Sequence, residues 1–438
     1  MLKFNRGKIR GGLSLKVLLI SANTEQFNMP AMPLGLACVA EATRNAGHDV
    51  TMLDLMFETD AVAALKKMIA EFRPECIGIS VRNIDDQTSE TPIFLLDKVK
   101  EVAALCRDQV NAPIILGGAG YSMFPESVLA YLDADMGIEG EGEIAFPALL
   151  VRLENNSDLS GIPGLHTRDH SSQEPKTFAR NLDALTLPDT RILSVSASKN
   201  KEPWIPVQTR RGCALKCSYC STPNIEGSIL RRRSPEHVSV WLESWVKAGY
   251  TNFFFVDNTF NLPAGYAKEI CRRILERGLN IHWMCIIYPK YIDDELVELM
   301  AASGCRQISL GFESGSEQML RNLNKGFSLE DVRTTSAMFA GHGIERMGFL
   351  LLGSPGETRE TVEESLAFAE SLNLEGLRLT AGVRIYPDTQ LAKTAENEGA
   401  ITSQGNLLHP CFYLAQGLEG WLSERLKEWQ VSRPYVIM

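Results

Sequence analysis

The first third of the chain alternates short, wholly apolar runs with longer stretches in which apolar residues recur at helical spacing. Residues 16–23 are apolar almost throughout and end in polar residues, which is typical of a buried parallel strand. The same reasoning predicts further strands at 50–56, 76–81 and 113–116, and helices at 33–46, 61–73, 93–110 and 143–153. Strands that alternate with helices of this length predict an α/β domain with a doubly wound parallel sheet.

Polar residues and glycines follow these predicted strands. They include Asn23, Arg82-Asn83, Gly117-Gly118 and the acidic run from Glu139 to Glu143. Ligands of doubly wound sheets bind at the carboxyl ends of the strands. We therefore expect a ligand site where these loops meet.

The middle of the chain shows the same alternation a second time. Apolar runs at 253–258, 282–287, 307–315, 348–353 and 377–386 predict strands, with helices at 264–277, 293–303, 329–342 and 360–372 between them. Repeated βα units of this kind predict a partial TIM-type barrel, with functional groups at the carboxyl ends of the strands. Asp257 and Glu313 fall at such ends, although an isolated acid is more commonly a helix cap or a loop carboxylate.

These patterns divide the chain into four parts. Residues 1–155 are predicted to form the doubly wound domain and residues 206–399 the barrel. Residues 156–205 lack long periodic runs and are predicted to be a linker with some short strands. Residues 400–438 are a short C-terminal extension with a predicted helix at 418–428.

Composition narrows the class of protein. The chain has 44 Lys and Arg against 54 Asp and Glu, a net charge of −10, which argues against a general role in binding polyanions. We find no apolar window long enough for a membrane span and no signal peptide in the first 15 residues. Ten cysteines without an export signal point to buried thiols and metal ligation, and we expect a cytoplasmic protein.

Three of the ten cysteines lie close together. Cys213, Cys217 and Cys220 are spaced C-x3-C-x2-C, with Tyr219 just before the third. Three thiolates from one loop can hold three irons of a [4Fe–4S] cube and leave the fourth iron open to a small molecule. Structural zinc usually takes four protein ligands, and no second pair follows at finger spacing. The remaining alternative is three loop cysteines without a function.

This spacing, with the aromatic residue in place, resembles the signature of the radical S-adenosylmethionine (SAM) superfamily. The resemblance implies that the open iron binds the amino and carboxylate groups of SAM, and that Tyr219 lies beside the adenine. It also implies that Glu313 binds the ribose, and that Asp257 and Asn258 lie near the methionyl end. A flavodoxin- or ferredoxin-type electron donor is implied as the partner protein.

The first third resembles the cobalamin-binding domain that precedes many radical SAM enzymes. The resemblance rests on Pro33-Leu-Gly-Leu, Ala46-Gly-His-Asp-Val, Leu116-Gly-Gly and Gly140-Glu-Gly-Glu. One feature departs from the cobalamin mutases, because no Asp-x-His-x-x-Gly supplies a histidine below cobalt. His48 lies in a helix-to-strand turn, and we expect a surface histidine there. Cobalamin is thus a cofactor that the resemblance permits.

The C-terminal extension bears on the substrate. Its basic residues Arg425, Lys427 and Arg433 are matched by Glu419, Glu424 and Glu428, so no basic patch is available for RNA phosphates. We therefore expect a small-molecule substrate and no nucleic acid.

Within the superfamily, residues 210–227 resemble the radical SAM enzymes of arsinothricin biosynthesis, an antibiotic pathway. That resemblance implies transfer of the 3-amino-3-carboxypropyl group of SAM to trivalent arsenic. Arsenic is thiophilic, and Cys285, Cys305 and Cys411 are the candidates to hold it, with Cys411 as the catalytic residue. Buried free cysteines more often act as small hydrophobic residues, and that interpretation is favoured for Cys38, Cys76, Cys106 and Cys271.

Two other functions remain open. One is a cobalamin-dependent radical SAM methyltransferase acting on a small molecule. The other is a sensor that binds a cofactor without turnover, against which the complete cysteine triad argues, because a binding module needs no open iron. The acceptor, and the carbon–sulfur bond of SAM that breaks, are left open by the sequence.

Overall fold

The structure is a computed structural model that describes residues 14–24, 32–168, 174–190, 203–402 and 405–438. Nearly all of the stretch examined for a signal peptide lies outside these ranges. Residues 169–173 and 191–202 of the predicted linker lie outside them as well.

The first sheet has six strands, in the order β2-β1-β3-β4-β5-β6. All neighbours are parallel except β5 and β6, which are antiparallel. The strands are β1 (Lys16–Ser21), β2 (Asp49–Asp54), β3 (Cys76–Ser80), β4 (Ile114–Gly117), β5 (Met136–Ile138) and β6 (Leu165–Thr167).

Helices cover both faces of this sheet. They are α1 (Leu34–Asn45), α2 (Ala61–Phe72), α3 (Leu96–Gln109), α4 (Ala119–Met123), α5 (Pro125–Tyr131) and α6 (Gly142–Glu154), with a 3-10 turn at Leu55–Phe57. Alternate residues of β1 belong to two separate hydrophobic cores. Leu19 lies in the core that contains residues of α1 and α6, and Leu18 lies in the core that contains residues of α2 and α3. This arrangement confirms the predicted doubly wound fold.

The other strands belong to the second half of the chain. They are β7 (Ile205–Val207), β8 (Arg210–Arg211), β9 (Arg231–Arg232), β10 (Asn252–Phe255), β11 (His282–Ile287), β12 (Cys305–Glu313), β13 (Glu345–Leu352), β14 (Gly376–Ala381), β15 (Val383–Arg384), β16 (Phe412–Tyr413) and β17 (Val436–Ile437). Seven of them form a parallel sheet in the order β17-β14-β13-β12-β11-β10-β7. In the described part of the chain β17 and β7 do not pair, so the sheet stays open. This is the predicted partial TIM-type barrel.

The helices of the second half lie between these strands. They are α7 (Thr222–Glu226), α8 (Pro235–Lys247), α9 (Ala264–Glu276), α10 (Asp294–Ala302), α11 (Glu317–Asn322), α12 (Leu329–Gly341), α13 (Arg359–Ser371), α14 (Gln390–Asn397) and α15 (Trp421–Gln430), with a 3-10 turn at Leu182–Ala184. Within the described ranges, none of the helices is both long and apolar enough to cross a membrane.

Segments from outside the two predicted domains complete both sheets. Leu165–Thr167 of the predicted linker forms β6 of the first sheet, and Val436–Ile437 of the C-terminal extension forms the edge strand of the second. The predicted strand at 377–386 is shorter than expected. It ends at Ala381, because Gly382 turns the chain with a φ of +77° and β15 then pairs with β16.

Candidate active site

The three closely spaced cysteines lie in a loop that begins at a β-hairpin. Strands β8 and β9 are antiparallel, and the loop leaves β8 at Gly212, which has a φ of +88°. A Cβ at this position would lie 2.2 Å from the carbonyl oxygen of Ile229, so the turn requires glycine. The Cys213 amide donates to the Gly227 carbonyl at 3.0 Å, which ties the first cysteine to the far arm of the hairpin.

The far end of the loop is held against the barrel. The Ser218 amide donates to the Leu323 carbonyl at 3.1 Å, and the Leu391 amide donates to the Ser218 carbonyl at 2.8 Å. Cys213, Cys217 and Cys220 are free thiols, partly exposed rather than buried. We call these three residues the cluster cysteines.

The arrangement of the cluster cysteines suits a cube better than a single ion. No three His, Cys, Asp or Glu side chains of the described residues converge on one metal ion. The thiolates of a [4Fe–4S] cube bind different irons and need not converge. Three partly exposed thiols on one anchored loop therefore fit such a cluster.

Beside the loop, Tyr219 meets two charged residues. Lys325 donates from Nζ to the Tyr219 hydroxyl at 3.0 Å, and lies 3.3 Å from Oε1 of Glu313. The Lys325 side chain is only 6% exposed, so its charge is balanced mainly by Glu313. Glu313 itself ends β12 with a φ of +65°, at a bulge in the strand. The structure thus brings Tyr219 and Glu313 together, as expected if both contact one cofactor, and adds a lysine that no sequence motif indicated.

Asp257, expected near the methionyl end of SAM, is hydrogen-bonded within the protein. Its carboxylate is buried and accepts hydrogen bonds from the Thr209 amide at 2.8 Å, the Thr209 hydroxyl at 2.6 Å and the Arg210 amide at 3.1 Å. Nε of Arg210 lies 3.4 Å away. Both oxygens are occupied by donors of this chain, so Asp257 anchors the strand that leads into the cysteine loop.

Asn258 likewise contacts the protein. Its side-chain amide donates to Oε2 of Glu226 at 2.8 Å, and the same oxygen accepts from the Gly212 amide at 3.1 Å. Oε1 of Glu226 accepts from the Gln208 side chain at 3.1 Å. Glu226 therefore links the carboxyl end of β10 to both ends of β8. Sequence reasoning missed it, because nothing in its surroundings marks it as more than a helix residue.

Two glutamates of the first domain join that domain to the hairpin. Oε1 of Glu143 lies 2.5 Å from Nη2 of Arg211, and Oε1 of Glu141 lies 2.6 Å from Nη1 of Arg231. Glu141 also lies 3.4 Å from Arg211. All four side chains are at most 12% exposed. The acidic run after β5 thus pairs with the two strands that flank the cysteine loop, and we call these contacts the junction ion pairs.

An open cavity of about 370 Å³ lies between the two domains. Its lining includes Ser21, Ser80, Gly117 and Ile138 at the carboxyl ends of β1, β3, β4 and β5. From the second domain, Gln208, Arg211, Glu226 and Val256 contribute. The loops that were expected to bind a ligand therefore face the hairpin that carries the cluster cysteines.

The cavity wall has bare backbone where a large ligand can approach closely. A Cβ added to Gly35 would meet nothing within 4 Å, and one added to Gly117 would meet only the Ile138 carbonyl oxygen, at 4.0 Å. No histidine of the described residues lines the cavity. These features fit a cobalamin that takes no histidine ligand from the protein.

His48 is not the surface histidine that we expected. It is buried, and its Nδ1 accepts a hydrogen bond from the Leu15 amide at 3.3 Å. Burial lowers its pKa. The helix-to-strand turn packs against the start of β1, which sequence periodicity could not show.

The cysteines proposed to hold arsenic are not assembled into one site. Cys285 and Cys305 are buried in the hydrophobic core, beside Cys271. Burial raises the pKa of Cys285, so the thiol is neutral and unreactive. Cys411 instead precedes β16, where its carbonyl accepts from the Ile385 amide at 2.9 Å. Cys285 and Cys305 therefore act as small hydrophobic residues of the core, which was the alternative to arsenic binding.

The barrel strands present one face to the helices and the other to the interior. Phe312 of β12 contacts Phe368 of α13, with ring centroids 5.8 Å apart. The side chain of Phe312 therefore faces outwards, towards the helices. Glu313 lies on the opposite face. Side chains alternate in the same way along β14. Leu377 and Leu379 are buried on the outer face, against the helices, and Arg378 between them faces the barrel interior.

Arg378 is the charged group on this inner face that sequence analysis missed. Its guanidinium makes no hydrogen bond or ion pair with any residue that the structure describes. It is partly exposed and lies beside Phe349 in the register of the sheet. An unpaired cation in the interior of a barrel is available for an anionic group of a ligand.

Comparisons with known proteins agree with this geometry. Residues 20–150 match the family model of the B12 binding domain, and residues 207–369 match that of the radical SAM superfamily. The uncharacterized methyltransferase PH0819 of Pyrococcus horikoshii is 28% identical over 392 residues, which cover 86% of this chain and 82% of that protein. Tryptophan 2-C-methyltransferase of Streptomyces laurentii is 25% identical over 453 residues, covering 87% and 75%.

A solved structure shares the whole fold. The radical SAM methyltransferase TsrM from Kitasatospora setae, with cobalamin and a [4Fe–4S] cluster bound, superposes with a TM-score of 0.84 at 23% identity. The match covers 97% of this chain and 93% of that one. None of these relatives is named as an aminocarboxypropyl transferase. The expected transfer to arsenic therefore has no support here, and the methyltransferase alternative fits better.

Proposed function

Because the chain combines a B12-binding domain with a radical SAM domain, we propose that it is a cobalamin-dependent radical SAM methyltransferase. In this proposal it transfers a methyl group that originates in SAM to a small acceptor. The two domains imply a [4Fe–4S] cluster, SAM and cobalamin as its cofactors.

The observation that carries the proposal is the cavity between the domains. It is lined both by the strand ends of the first sheet and by Gln208, Arg211 and Glu226 around the cysteine loop. A ligand bound in it would therefore lie next to the loop that would hold the cluster. When bound, cobalamin carries a methyl group between donor and acceptor, and the cluster supplies single electrons.

Different residues of the chain would hold the cluster and the cobalamin in place. The cluster cysteines would bind three irons, while Asp257 and Glu226 fix the two ends of β8. The junction ion pairs hold the cavity wall against the hairpin, which fixes the distance between the two cofactor sites. Charged pairs of this kind, desolvated and hydrogen-bonded, favour one relative position of the domains.

Glu313 and Lys325 would complete the SAM site. A carboxylate that accepts hydrogen bonds from the two ribose hydroxyls would orient the nucleoside, and the Lys325 ammonium, 3.3 Å from Oε1 of Glu313, holds that carboxylate in place. Tyr219, bonded to the same lysine, would lie against the adenine.

The acceptor would enter the barrel interior. Arg378 offers an unpaired guanidinium there, and Phe349 beside it offers an apolar surface. A small molecule with an anionic group and an apolar body matches this pair of residues. The proposed acceptor class is therefore a small carboxylate, phosphate or phosphonate.

The products of SAM distinguish the proposed reaction from its competitor. The reconstituted protein is incubated anaerobically with SAM, a reductant and small acceptors, with and without cobalamin. Methyl transfer predicts S-adenosylhomocysteine that forms only when cobalamin is supplied. Release of 5′-methylthioadenosine, independent of cobalamin, would overturn the proposal and reinstate aminocarboxypropyl transfer.

A further inference from the structure

We propose that a cleft behind the cysteine loop is the docking surface for a small acidic electron-carrier protein of the flavodoxin or ferredoxin class. The inference rests on the proposed function in one respect, since it requires a cluster held by the cluster cysteines. It goes further in placing the site at which electrons enter.

The cleft lies on the outer side of the β8–β9 hairpin. It has a volume of about 1,230 Å³. One wall is the segment from Thr177 to Asp183, another is the hairpin arm from Gly227 to Pro235, and Tyr266 of α9 is at its base. We call it the hairpin cleft. It is separate from the cavity between the domains, with which it shares no lining residue.

The lining of the hairpin cleft is cationic in a chain whose net charge is −10. Four arginines line it, Arg180, Arg231, Arg232 and Arg233, against one acid, Asp183. That acid is engaged, because both of its oxygens accept from the Ser234 amide, at 2.9 and 3.1 Å.

Two of these arginines are free to meet a partner. Arg180 and Arg232 are exposed, and neither side chain makes a hydrogen bond or an ion pair in the part of the chain that the structure describes. Arg232 lies over the Tyr266 ring, 5.2 Å from its centroid, which holds its guanidinium at the cleft surface. Positive charges at a surface attract an acidic protein, guide it to its site and raise the rate of association.

The same surface carries an exposed apolar residue. Ile229, at the turn of the hairpin arm, is 75% exposed, and Phe178 lies across the cleft. An apolar centre with a charged rim is the usual composition of a transient protein interface. A free small anion would need no such apolar surface, and two free arginines are too few to hold a nucleic acid.

The hairpin cleft lies directly behind the candidate cluster. Gly227, which lines it, accepts the Cys213 amide hydrogen bond at 3.0 Å. Pro223, another lining residue, is only three positions from Cys220. A carrier docked here would transfer one electron through this thin wall: the carrier is oxidised by one electron, and the cluster is reduced by one. The proposed SAM contacts Tyr219, Glu313 and Lys325 do not line the hairpin cleft.

The test reverses the two free charges. The double variant Arg180→Glu/Arg232→Glu is compared with Lys66→Glu/Lys67→Glu, which makes the same charge change at two exposed lysines of α2 in the other domain. Reduced flavodoxin and reduced [4Fe–4S] ferredoxin serve as probes. Stopped-flow absorbance follows reduction of the reconstituted cluster, and biolayer interferometry measures carrier binding to the cluster-loaded and the cluster-free protein.

We expect the arginine variant to lose at least tenfold in reduction rate and in carrier affinity at low ionic strength, with the loss shrinking as salt is added. Reduction by dithionite and binding of SAM should stay unchanged. The lysine control should behave like the wild type. If the charge-reversed protein does not fold, judged by circular dichroism, Arg180→Ala/Arg232→Ala replaces it, with at least a threefold loss expected.

Three results would overturn the inference. The first is an arginine variant that both carriers bind and reduce as well as they do the wild type. The second is a wild type that neither carrier binds. The third is an equal loss in the lysine control, which would indicate a general charge effect. Failure of the proposed function looks different, since then no cluster assembles, or dithionite reduces a cluster that supports no cobalamin-dependent product.

Discussion

The Glu143–Arg211 contact provides the strongest test of how the two domains are joined. Glu143 lies in the first turn of α6 of the first domain, and Arg211 immediately precedes the cysteine loop. Their side chains are 5% and 8% exposed, and the oxygen and nitrogen lie 2.5 Å apart. Glu143→Gln keeps the shape of the side chain and removes its charge. Arg211 would then keep one carboxylate partner, Glu141 at 3.4 Å, and its hydrogen bond to Oε1 of the neutral Gln208 at 2.9 Å.

Breaking a buried ion pair by neutralising one partner costs about 3–5 kcal/mol, because the other charge is left buried and uncompensated. Glu141 remains within reach of Arg211, so we expect the lower end, about 3 kcal/mol of unfolding free energy. The double variant Glu143→Gln/Arg211→Met should recover part of this loss, since no unpaired charge stays buried.

The loss should also depend on pH. Burial alone would raise the pKa of Glu143, but the Arg211 guanidinium outweighs burial, and the pKa lies below its usual value. A carboxyl group whose pKa is lowered by folding stabilises the protein above its unfolded pKa, and this stabilisation disappears as the pH falls through the folded pKa. The wild type and Glu143→Gln should therefore differ fully near pH 7. The difference should start to shrink as the pH falls below the ordinary glutamate pKa of about 4.3, and it should vanish only below the lowered pKa of Glu143 in the folded protein.

Urea unfolding followed by far-ultraviolet circular dichroism measures these differences. The matched control is Glu295→Gln, whose carboxylate is 54% exposed and pairs with Lys268 at 2.6 Å on the surface. Exposed ion pairs contribute little to the free energy of unfolding, because water and salt screen them. If Glu143→Gln costs no more than Glu295→Gln, the junction ion pairs do not hold the domains together and our reasoning about the cavity wall is wrong.

Four further predictions concern the cofactors and the acceptor. Alanine in place of any one cluster cysteine should abolish the iron–sulfur absorbance after reconstitution while the far-ultraviolet spectrum persists; full SAM cleavage by one such variant would contradict the three-thiolate assignment. Glu313→Gln should weaken SAM binding by about 1.5–3 kcal/mol, because two ribose hydroxyls lose a charged acceptor; an unchanged dissociation constant by calorimetry would remove Glu313 from the site. Gly117→Leu should fill the cavity and remove bound corrinoid absorbance, whereas Gly265→Leu, at an exposed helix position with open space, should bind corrinoid normally. Arg378→Met should raise the KM for an anionic acceptor without changing SAM affinity, and an equal loss of SAM affinity would place Arg378 at the SAM carboxylate instead.

Long apolar runs made most of the fold predictable from sequence. Strand β11 was expected at 282–287 and spans His282–Ile287, and α12 was expected at 329–342 and spans Leu329–Gly341. Short elements escaped prediction, because two or three residues show no period. Strand β17 is two residues long, and β6 is three.

The site was predictable only as far as it depends on local spacing. The cluster cysteines lie within eight positions, so their spacing is visible in the sequence. Lys325 bonds to Tyr219 across 106 positions, and the role of Asp257 depends on donors 47 and 48 positions earlier in the chain. Such partners are set by how the strands of the barrel assemble, which no local pattern encodes.

The fate of the SAM methyl group tests the central claim most directly. The reconstituted protein, loaded with cobalamin, is incubated with SAM labelled with carbon-13 at the methyl position. The nucleoside products are then separated by chromatography, and their masses are measured by mass spectrometry. Our account predicts that the label leaves the nucleoside and that unlabelled S-adenosylhomocysteine accumulates. Label retained in 5′-methylthioadenosine would show that the aminocarboxypropyl bond breaks instead, and would contradict the account.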